Sequence, residues 1–174
     1  MARSTNSELN RYLKSLEKQE LETEVKKLFS KIPAVKQYYE QELTGDSGAV
    51  LEKYKAKIRK EYFRGRGFGN ASSSASRKAV QDFKKISVFP RDVVELWLYR
   101  TEMMLDYTLA WGDLNESFYN SLCMSFEEAC CMICKEGLES EFQDYCTRIL
   151  AKASEAGWGV YDSMQFSYAN IAED

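Results

Sequence analysis

Residues 91–111 read RDVVELWLYRTEMMLDYTLAW, from Arg91 to Trp111, and this stretch decides the fold. At about 100° per residue, the step of an α-helix, apolar side chains cover nearly its whole circumference. Acidic residues occupy one narrow edge, at Glu95, Glu102 and Asp106. A helix that is apolar almost all round is buried by its neighbours. We therefore predict an all-α single domain, with about eight or nine helices in antiparallel hairpins around this central helix.

Arg100 is the exception within this stretch, because it falls on the apolar side of the helix. Fully buried arginines are rare. We therefore expect its aliphatic stem to pack against the core while its guanidinium group reaches water. A buried Arg100 would instead need a carboxylate or several carbonyl groups as partners. The row formed by Glu95, Glu102 and Asp106 is expected to be a solvated face or a strip of salt bridges.

The composition is typical of a soluble globular protein. The 174 residues suit one domain, residues 1–174, with 44% hydrophobic and 29% charged residues and only two prolines. The N-terminal residues are polar, so we expect no secretory signal, and no apolar run is long enough to span a membrane. Five cysteines, an odd number without disulfide-framework spacing, are typical of a reducing compartment. These features predict a cytoplasmic protein without a membrane partner.

The sequence contains no histidine. This absence excludes Ser-His-Asp and Cys-His catalysis, histidine-ligated zinc and the commonest general base. It also excludes the Glu-x-x-His repeat of helical di-metal proteins, so the acidic row on the central helix is not expected to bind metal. We therefore expect no cofactor and consider a non-enzymatic role more plausible than an enzymatic one.

Helix-capping residues and apolar spacing predict the remaining helices. Their expected ranges are 7–16, 18–31, 33–43, 50–63, 77–86, 115–136, 138–155 and 160–171. Residues 64–76, RGRGFGNASSSAS, contain three glycines and four serines, so we predict a mobile basic Gly/Ser loop there.

Several short motifs occur in a recognisable order. They are LEKYK (51–55), AVQDFKK (79–85), FYNS (118–121), GL (137–138), FQD (142–144) and GWGVYDS (157–163). Together they resemble an uncharacterised bacterial family of small all-helical proteins, a domain of unknown function. The resemblance covers most of the chain. It implies an intracellular bacterial origin and supplies no activity.

Charge is distributed unevenly along the chain. Residues 53–85 carry eleven Lys and Arg against two acids, a net +9, whereas residues 86–174 carry a net −11. Such asymmetry is typical of a surface for phosphates, nucleic acid or an acidic partner. The candidate binding residues are Arg64, Arg66, Arg77, Lys78, Lys84 and Lys85. The alternative is that this segment is solvated, or pairs with the acidic half of the same chain or of a second copy.

Two Trp-Gly pairs stand at predicted helix ends. One is Trp111-Gly112 and the other is Trp158-Gly159. If the two corners meet, they could form an aromatic and carboxylate pocket. Its residues would be Trp111, Asp113, Trp158, Tyr161 and Asp162. The alternative is structural, because tryptophans stabilise turns by packing and glycines permit positive φ.

Cysteines form another candidate site. Cys130, Cys134 and Cys146 could converge if the chain reverses near Gly137, and three thiolates can hold zinc. The alternative is core packing, for which cysteine is well suited.

The function predicted first is that of a non-enzymatic protein-binding or adaptor module, with a protein partner that could be a second copy of the chain. The second hypothesis is a nucleic-acid or phosphate-binding module using residues 53–85. The third is a cysteine-based metal or redox site.

Overall fold

The computed structural model describes residues 5–65 and 67–172, with side chains up to residue 169. Within these ranges the protein is all-α, with nine helices and one two-stranded antiparallel hairpin, which confirms the predicted fold class. The elements are α1 (Thr5–Lys14), α2 (Lys18–Lys31), α3 (Pro33–Thr44), α4 (Gly48–Tyr62), β1 (Phe63–Arg64), β2 (Gly67–Phe68), α5 (Ser73–Lys84), α6 (Pro90–Trp111), α7 (Glu116–Glu136), α8 (Glu139–Ala153) and α9 (Val160–Ala172).

The chain divides into two compact units, residues 1–45 and 46–174. In the first unit, α2 packs against α3, and the rings of Phe29 and Tyr39 lie 6.4 Å apart. None of the described residues of α1 and α2 is buried. That residues 1–174 behave as one domain stays a prediction.

The predicted core helix is confirmed in the second unit. Trp97, Leu98 and Leu105 of α6 are almost completely buried, and α4, α5, α7 and α8 pack around the helix. Pro90 occupies its first turn, and Gly112 ends it with a φ of +93° that glycine adopts readily.

Helices α4 and α5 form an antiparallel hairpin. The ring of Tyr54 lies 5.2 Å from that of Phe83, whereas the Tyr62 hydroxyl lies 2.6 Å from Ser76 Oγ. The N-terminal half of α4 therefore faces the C-terminal half of α5, and the C-terminal half of α4 faces the N-terminal half of α5. This arrangement places the outward-facing side chains of both helices on one continuous surface.

The predicted loop 64–76 is shorter in the structure. Strands β1 and β2 form a hairpin in which Phe63 pairs with Phe68. Helix α5 begins at Ser73 rather than residue 77, because the Ser72 hydroxyl caps it by accepting a hydrogen bond from the Ala75 amide. The mobility of the segment stays a prediction.

The acidic row of α6 is a strip of salt bridges, as the sequence indicates. Lys55 Nζ lies 2.7 Å from Glu95, and Lys152 Nζ lies 2.7 Å from Glu102 and 2.8 Å from Asp106. These ion pairs attach α4 and α8 to opposite ends of the same edge of α6.

Lys152 connects two like-charged residues, so it is expected to determine how stability responds to acid. Burial alone would raise the pKa of Glu102, but hydrogen bonds from Lys152 and Tyr145 outweigh it and hold that pKa below its ordinary value. The stabilisation is therefore present above the ordinary carboxyl pKa and is lost as pH falls through the lowered value. We expect Lys152→Met to lower the free energy of unfolding by about 1 kcal/mol at neutral pH, since the cluster is partly exposed.

Urea unfolding at pH 7 and at about pH 4 measures this effect. In the variant, Glu102 and Asp106 repel each other one helical turn apart, and protonation relieves the repulsion. The stability difference between variant and wild type should therefore shrink in acid. The matched control is Lys135→Met, which removes an exposed pair with Glu136. An equal difference at both pH values would contradict the expectation.

Candidate functional site

A row of exposed basic residues runs along α4. Lys53, Lys57 and Lys60 are spaced four and three residues apart, so they share one face of the helix. Arg64 follows at the same spacing in β1, and its Nε donates a hydrogen bond of 3.2 Å to the carbonyl of Lys60. Buried Leu51, Tyr54, Ile58 and Tyr62 occupy another face of α4, which holds the row toward solvent.

Helix α5 extends this basic surface. Lys78 and Lys85 are exposed and lie seven residues apart, on the same side of the helix as Asp82. A hydrogen bond from Lys85 and the charges of Lys78 and Lys57 lower the pKa of Asp82. Lysines from both helices therefore act on the pKa of this single carboxylate, which indicates that the basic residues of α4 adjoin those of α5. We call Lys53, Lys57, Lys60, Arg64, Lys78 and Lys85 the basic stripe.

Few basic residues of segment 53–85 pair with the acidic half of the chain. Within the described residues, Lys55 pairs with Glu95, and Arg77 lies 3.8 Å from Glu128. Lys85 pairs with Asp82 on its own helix at 3.0 Å. No ion pair is formed, within the same described ranges, by Lys53, Lys57, Lys60, Arg64, Lys78 or Lys84. Most of the stripe is thus open to solvent and to a partner.

The structure rearranges the six residues chosen from sequence. Arg64, Lys78 and Lys85 belong to the basic stripe, whereas Arg77 and Lys84 lie on a different flank of α5. Arg66 lies outside the described residues. The sequence-based choice missed Lys53, Lys57 and Lys60, although their helical spacing was a usable signal.

An aromatic pair stands at the hairpin end of the stripe. The rings of Phe68 and Trp111 lie 5.5 Å apart in an edge-to-face arrangement, and the two residues are 64% and 51% exposed. Large aromatic side chains are usually much more buried. The pair therefore leaves aromatic ring surface exposed for a partner. Its Phe68 belongs to the same hairpin as the stripe residue Arg64.

A second polar feature is a cleft between α5 and α7, which we call the α5–α7 cleft. Its volume is about 480 Å³. Hydroxyl groups and one amide dominate its lining, together with one arginine and one glutamate. The lining residues are Ser73, Ser74, Arg77, Glu116, Ser117, Asn120, Ser121 and Met124.

Arg100 lies behind this cleft, and its position corrects the sequence-based expectation. The residue is only 1% exposed, so its guanidinium group does not reach water. Its nitrogens donate to Ser76 Oγ at 3.0 Å, to the Ser73 carbonyl at 3.0 Å, and to the carbonyl and hydroxyl of Ser121 at 3.1 and 2.8 Å. Several acceptors converge because α5 and α7 both pack beside α6.

No carboxylate within the described ranges forms an ion pair with Arg100. Burial lowers the pKa of Arg100 to about 10; the nearby Tyr62 hydroxyl opposes this shift, and the charge of Arg77 adds to it. Arg100 still carries its positive charge at neutral pH. The region behind the cleft therefore contains a buried cation whose hydrogen-bond acceptors are all neutral.

The two Trp-Gly corners meet only in part. The Trp158 ring stacks on Tyr119 with centroids 5.2 Å apart, and the Tyr119 hydroxyl donates to Asp113 at 3.1 Å. Tyr119, which the sequence-based prediction missed, therefore links Trp158 to Asp113. Trp111 instead contacts Phe68, and Tyr161 and Asp162 are exposed in the first turn of α9. The five-residue pocket stays a prediction.

The three candidate cysteines, Cys130, Cys134 and Cys146, lie in the hydrophobic core or pack against it. Cys130 and Cys146 are buried, and burial raises the pKa of both thiols, that of Cys146 to about 12. Metals bind the thiolate rather than the thiol. Among the described residues, which include Cys134, no group of three or more Cys, Asp or Glu side chains could hold a metal ion. A metal or redox site at these cysteines stays a prediction.

These features define an all-α protein that presents an open basic stripe. The chain belongs to the family described as "Family of unknown function (DUF6155)", whose model matches residues 4–171. This match confirms the resemblance to a domain of unknown function, while a bacterial origin stays a prediction. No curated protein and no solved structure matches the chain significantly. Every helix in the described ranges is too short or too polar to cross a membrane.

Proposed function

We propose that this protein is a non-enzymatic binding module that holds single-stranded nucleic acid along the basic stripe. The observation that carries the proposal is the row of exposed lysines on α4, together with the adjoining lysines of α5. Basic residues repeated along one surface can follow a phosphate backbone, and each contact releases condensed counterions. The absence of histidine favours binding over catalysis.

The exposed Phe68–Trp111 pair supports a single strand rather than a duplex. Unpaired bases offer their faces for stacking, and proteins that bind single strands combine a basic track with exposed aromatic rings. Phe68 follows the stripe residue Arg64 within the same short hairpin. A strand that crosses the stripe could therefore place a base on this pair.

Fluorescence anisotropy with a labelled single-stranded oligonucleotide tests the proposal. We expect saturable binding at about 50 mM salt that weakens steeply by about 200 mM. The triple variant Lys53→Ala, Lys57→Ala, Lys60→Ala should bind at least about tenfold more weakly. Its slope of log affinity against log salt should fall by about 2, since each lost phosphate contact removes about 0.7. Phe68→Ala should weaken binding about tenfold without changing that slope.

The matched control removes the same charge from the first unit. Lys18, Lys26 and Lys31 are exposed on α2, so replacing all three with alanine changes the net charge equally. This control should retain most of the affinity. An absence of binding at low salt, or equal weakening in both triple variants, would refute the proposal.

A protein partner is the second candidate function. The observation that favours it is the apolar face of the first unit, where exposed side chains recur at helical spacing. They are Leu9, Tyr12 and Leu13 on α1 and Val25 and Leu28 on α2, each between 38% and 49% exposed. Amphipathic helices with such faces often bind an apolar groove of another chain, or a second copy. Association of this kind should survive high salt, unlike nucleic-acid binding.

A cytoplasmic location is part of the proposal. None of the five cysteines, all of which lie in the described ranges, forms a disulfide, and two of them are buried in the core. Thiols persist in reducing compartments, whereas secreted proteins commonly oxidise theirs.

A further inference from the structure

The guanidinium group of Arg100 is a buried charge without a counter-ion among the described residues. Burying an unpaired ion is costly, and proteins normally pair such charges. Neutral oxygens of Ser73, Ser76 and Ser121 satisfy the hydrogen bonds of Arg100, but they do not neutralise it. The positive potential of Arg100 therefore extends to its surroundings, including the α5–α7 cleft, which Ser73 and Ser121 line.

A second guanidinium group lines the same cleft. Arg77 lies near enough to Arg100 for their charges to repel, which contributes to the lowered pKa of Arg100. The acid nearest to Arg77 is Glu128, at a long 3.8 Å in a partly exposed pair. Such an ion pair contributes little to stability. The Arg77 guanidinium group can therefore reorient toward a more strongly bound anion at a small cost in free energy.

The polar lining suits a tetrahedral anion. Ser73 and Ser74 form the first turn of α5, where backbone amides have no acceptor within the helix. Ser117 and Asn120 add donors from the first turns of α7. Hydroxyl, amide and guanidinium donors around one concave site are the groups that recognise phosphate oxygens.

We propose that the α5–α7 cleft binds a phosphate group, either as the free dianion or as a phosphate monoester. The Arg77 guanidinium group donates hydrogen bonds to two phosphate oxygens. The hydroxyls of Ser74 and Ser117 and the side-chain amide of Asn120 donate to the other oxygens. Arg100 is a positioning residue, because it reaches the cleft only through Ser73 and Ser121. This site is separate from the basic stripe and does not depend on the proposed nucleic-acid function.

Glu116 opposes this ligand, because it places a carboxylate in the lining. Its position in the first turn of α7 has a structural reason, since negative charge there complements the helix dipole. Removing the charge should therefore strengthen anion binding. General damage to the fold would weaken anion binding rather than strengthen it. Stronger binding by a Glu116 variant would therefore be specific evidence for this site.

Isothermal titration calorimetry at low ionic strength tests the site, with inorganic phosphate in one arm and a nucleoside monophosphate in the other. We expect saturable binding in at least one arm, and the tighter arm identifies the source of the phosphate. Arg77→Ala should weaken it at least about tenfold, and Glu116→Gln should strengthen it about threefold. Asn120→Asp, a further variant at an exposed position, should abolish binding, because its carboxylate would repel the phosphate.

Two controls separate this site from other basic residues. Lys84→Ala removes a charge from the same flank of α5, seven residues from Arg77 and outside the cleft lining. The triple variant of the basic stripe removes three charges from the other surface. Both should bind phosphate as the wild type does. No binding in either arm, or equal weakening by Lys84→Ala and Arg77→Ala, would overturn the inference.

Discussion

Replacing Arg100 with alanine is expected to lower the free energy of unfolding by about 2–4 kcal/mol. Truncating a large buried side chain leaves a cavity, which costs about 2–5 kcal/mol. The oxygens of Ser73, Ser76 and Ser121 also lose a charged donor, at about 1–3 kcal/mol in total, since Ser76 Oγ keeps its hydrogen bond with Tyr62 and the Ser73 carbonyl keeps one from Ser76. Relief of the buried charge offsets about 3 kcal/mol of this loss, given the lowered pKa. The cavity and the lost hydrogen bonds together exceed that relief.

Urea unfolding followed by far-UV circular dichroism measures the change. Arg100→Met is the matched control, because methionine fills much of the volume and removes the charge and the donors. We expect the methionine variant to lose less stability than the alanine variant, by about 2 kcal/mol, since only the cavity differs. An alanine variant as stable as the wild type would show that Arg100 is not held by these contacts.

Gly69→Ala is expected to cost about 2–3 kcal/mol of stability. A Cβ atom at Gly69 would lie 2.2 Å from the carbonyl oxygen of Glu61 and 2.9 Å from that of Lys60, both in the backbone of α4. Neither atom can move away as a flexible side chain could. The Gly69 amide also donates to the Tyr62 carbonyl at 2.7 Å, so a displaced backbone would lose that bond.

The matched control is Gly67→Ala in strand β2. The nearest atom to a Cβ there is the Arg64 carbonyl oxygen at 3.9 Å, an ordinary contact. This change should alter stability by less than about 0.5 kcal/mol. Thermal and urea unfolding of both variants measure the contrast. Equal stability of the two variants would mean that the hairpin is not packed against the end of α4 in the way described.

Much of the fold is predictable because helix patterns are local. The apolar circumference of α6, the proline that begins it and the glycine that ends it can all be recognised within a short window. The predicted first residue of α5 was wrong by four residues, for an equally local reason. Its run of serines offers several possible caps, and only the observed bond from the Ala75 amide selects Ser72.

The candidate sites were predictable as residue types but not as groups. The excess of positive charge between residues 53 and 85 is visible in composition, yet the adjoining of Lys57 with Lys78 depends on the antiparallel packing of α4 and α5. Arg77 belonged to the same sequence cluster, but the structure places it in the cleft with Asn120. Charge counting could not separate these two surfaces, because they share one stretch of chain.

The sequence alone determined the helical class, the buried position of α6 and the excluded histidine chemistry, since each depends on residue identity or on spacing within one helix. Only the tertiary structure decided that Arg100 is buried, because its acceptors come from α5 and α7, more than twenty residues away on either side. It likewise decided that Cys130 and Cys146 are buried and that the basic stripe stays open. Contacts of this kind depend on how distant helices cross, which spacing along one helix does not encode.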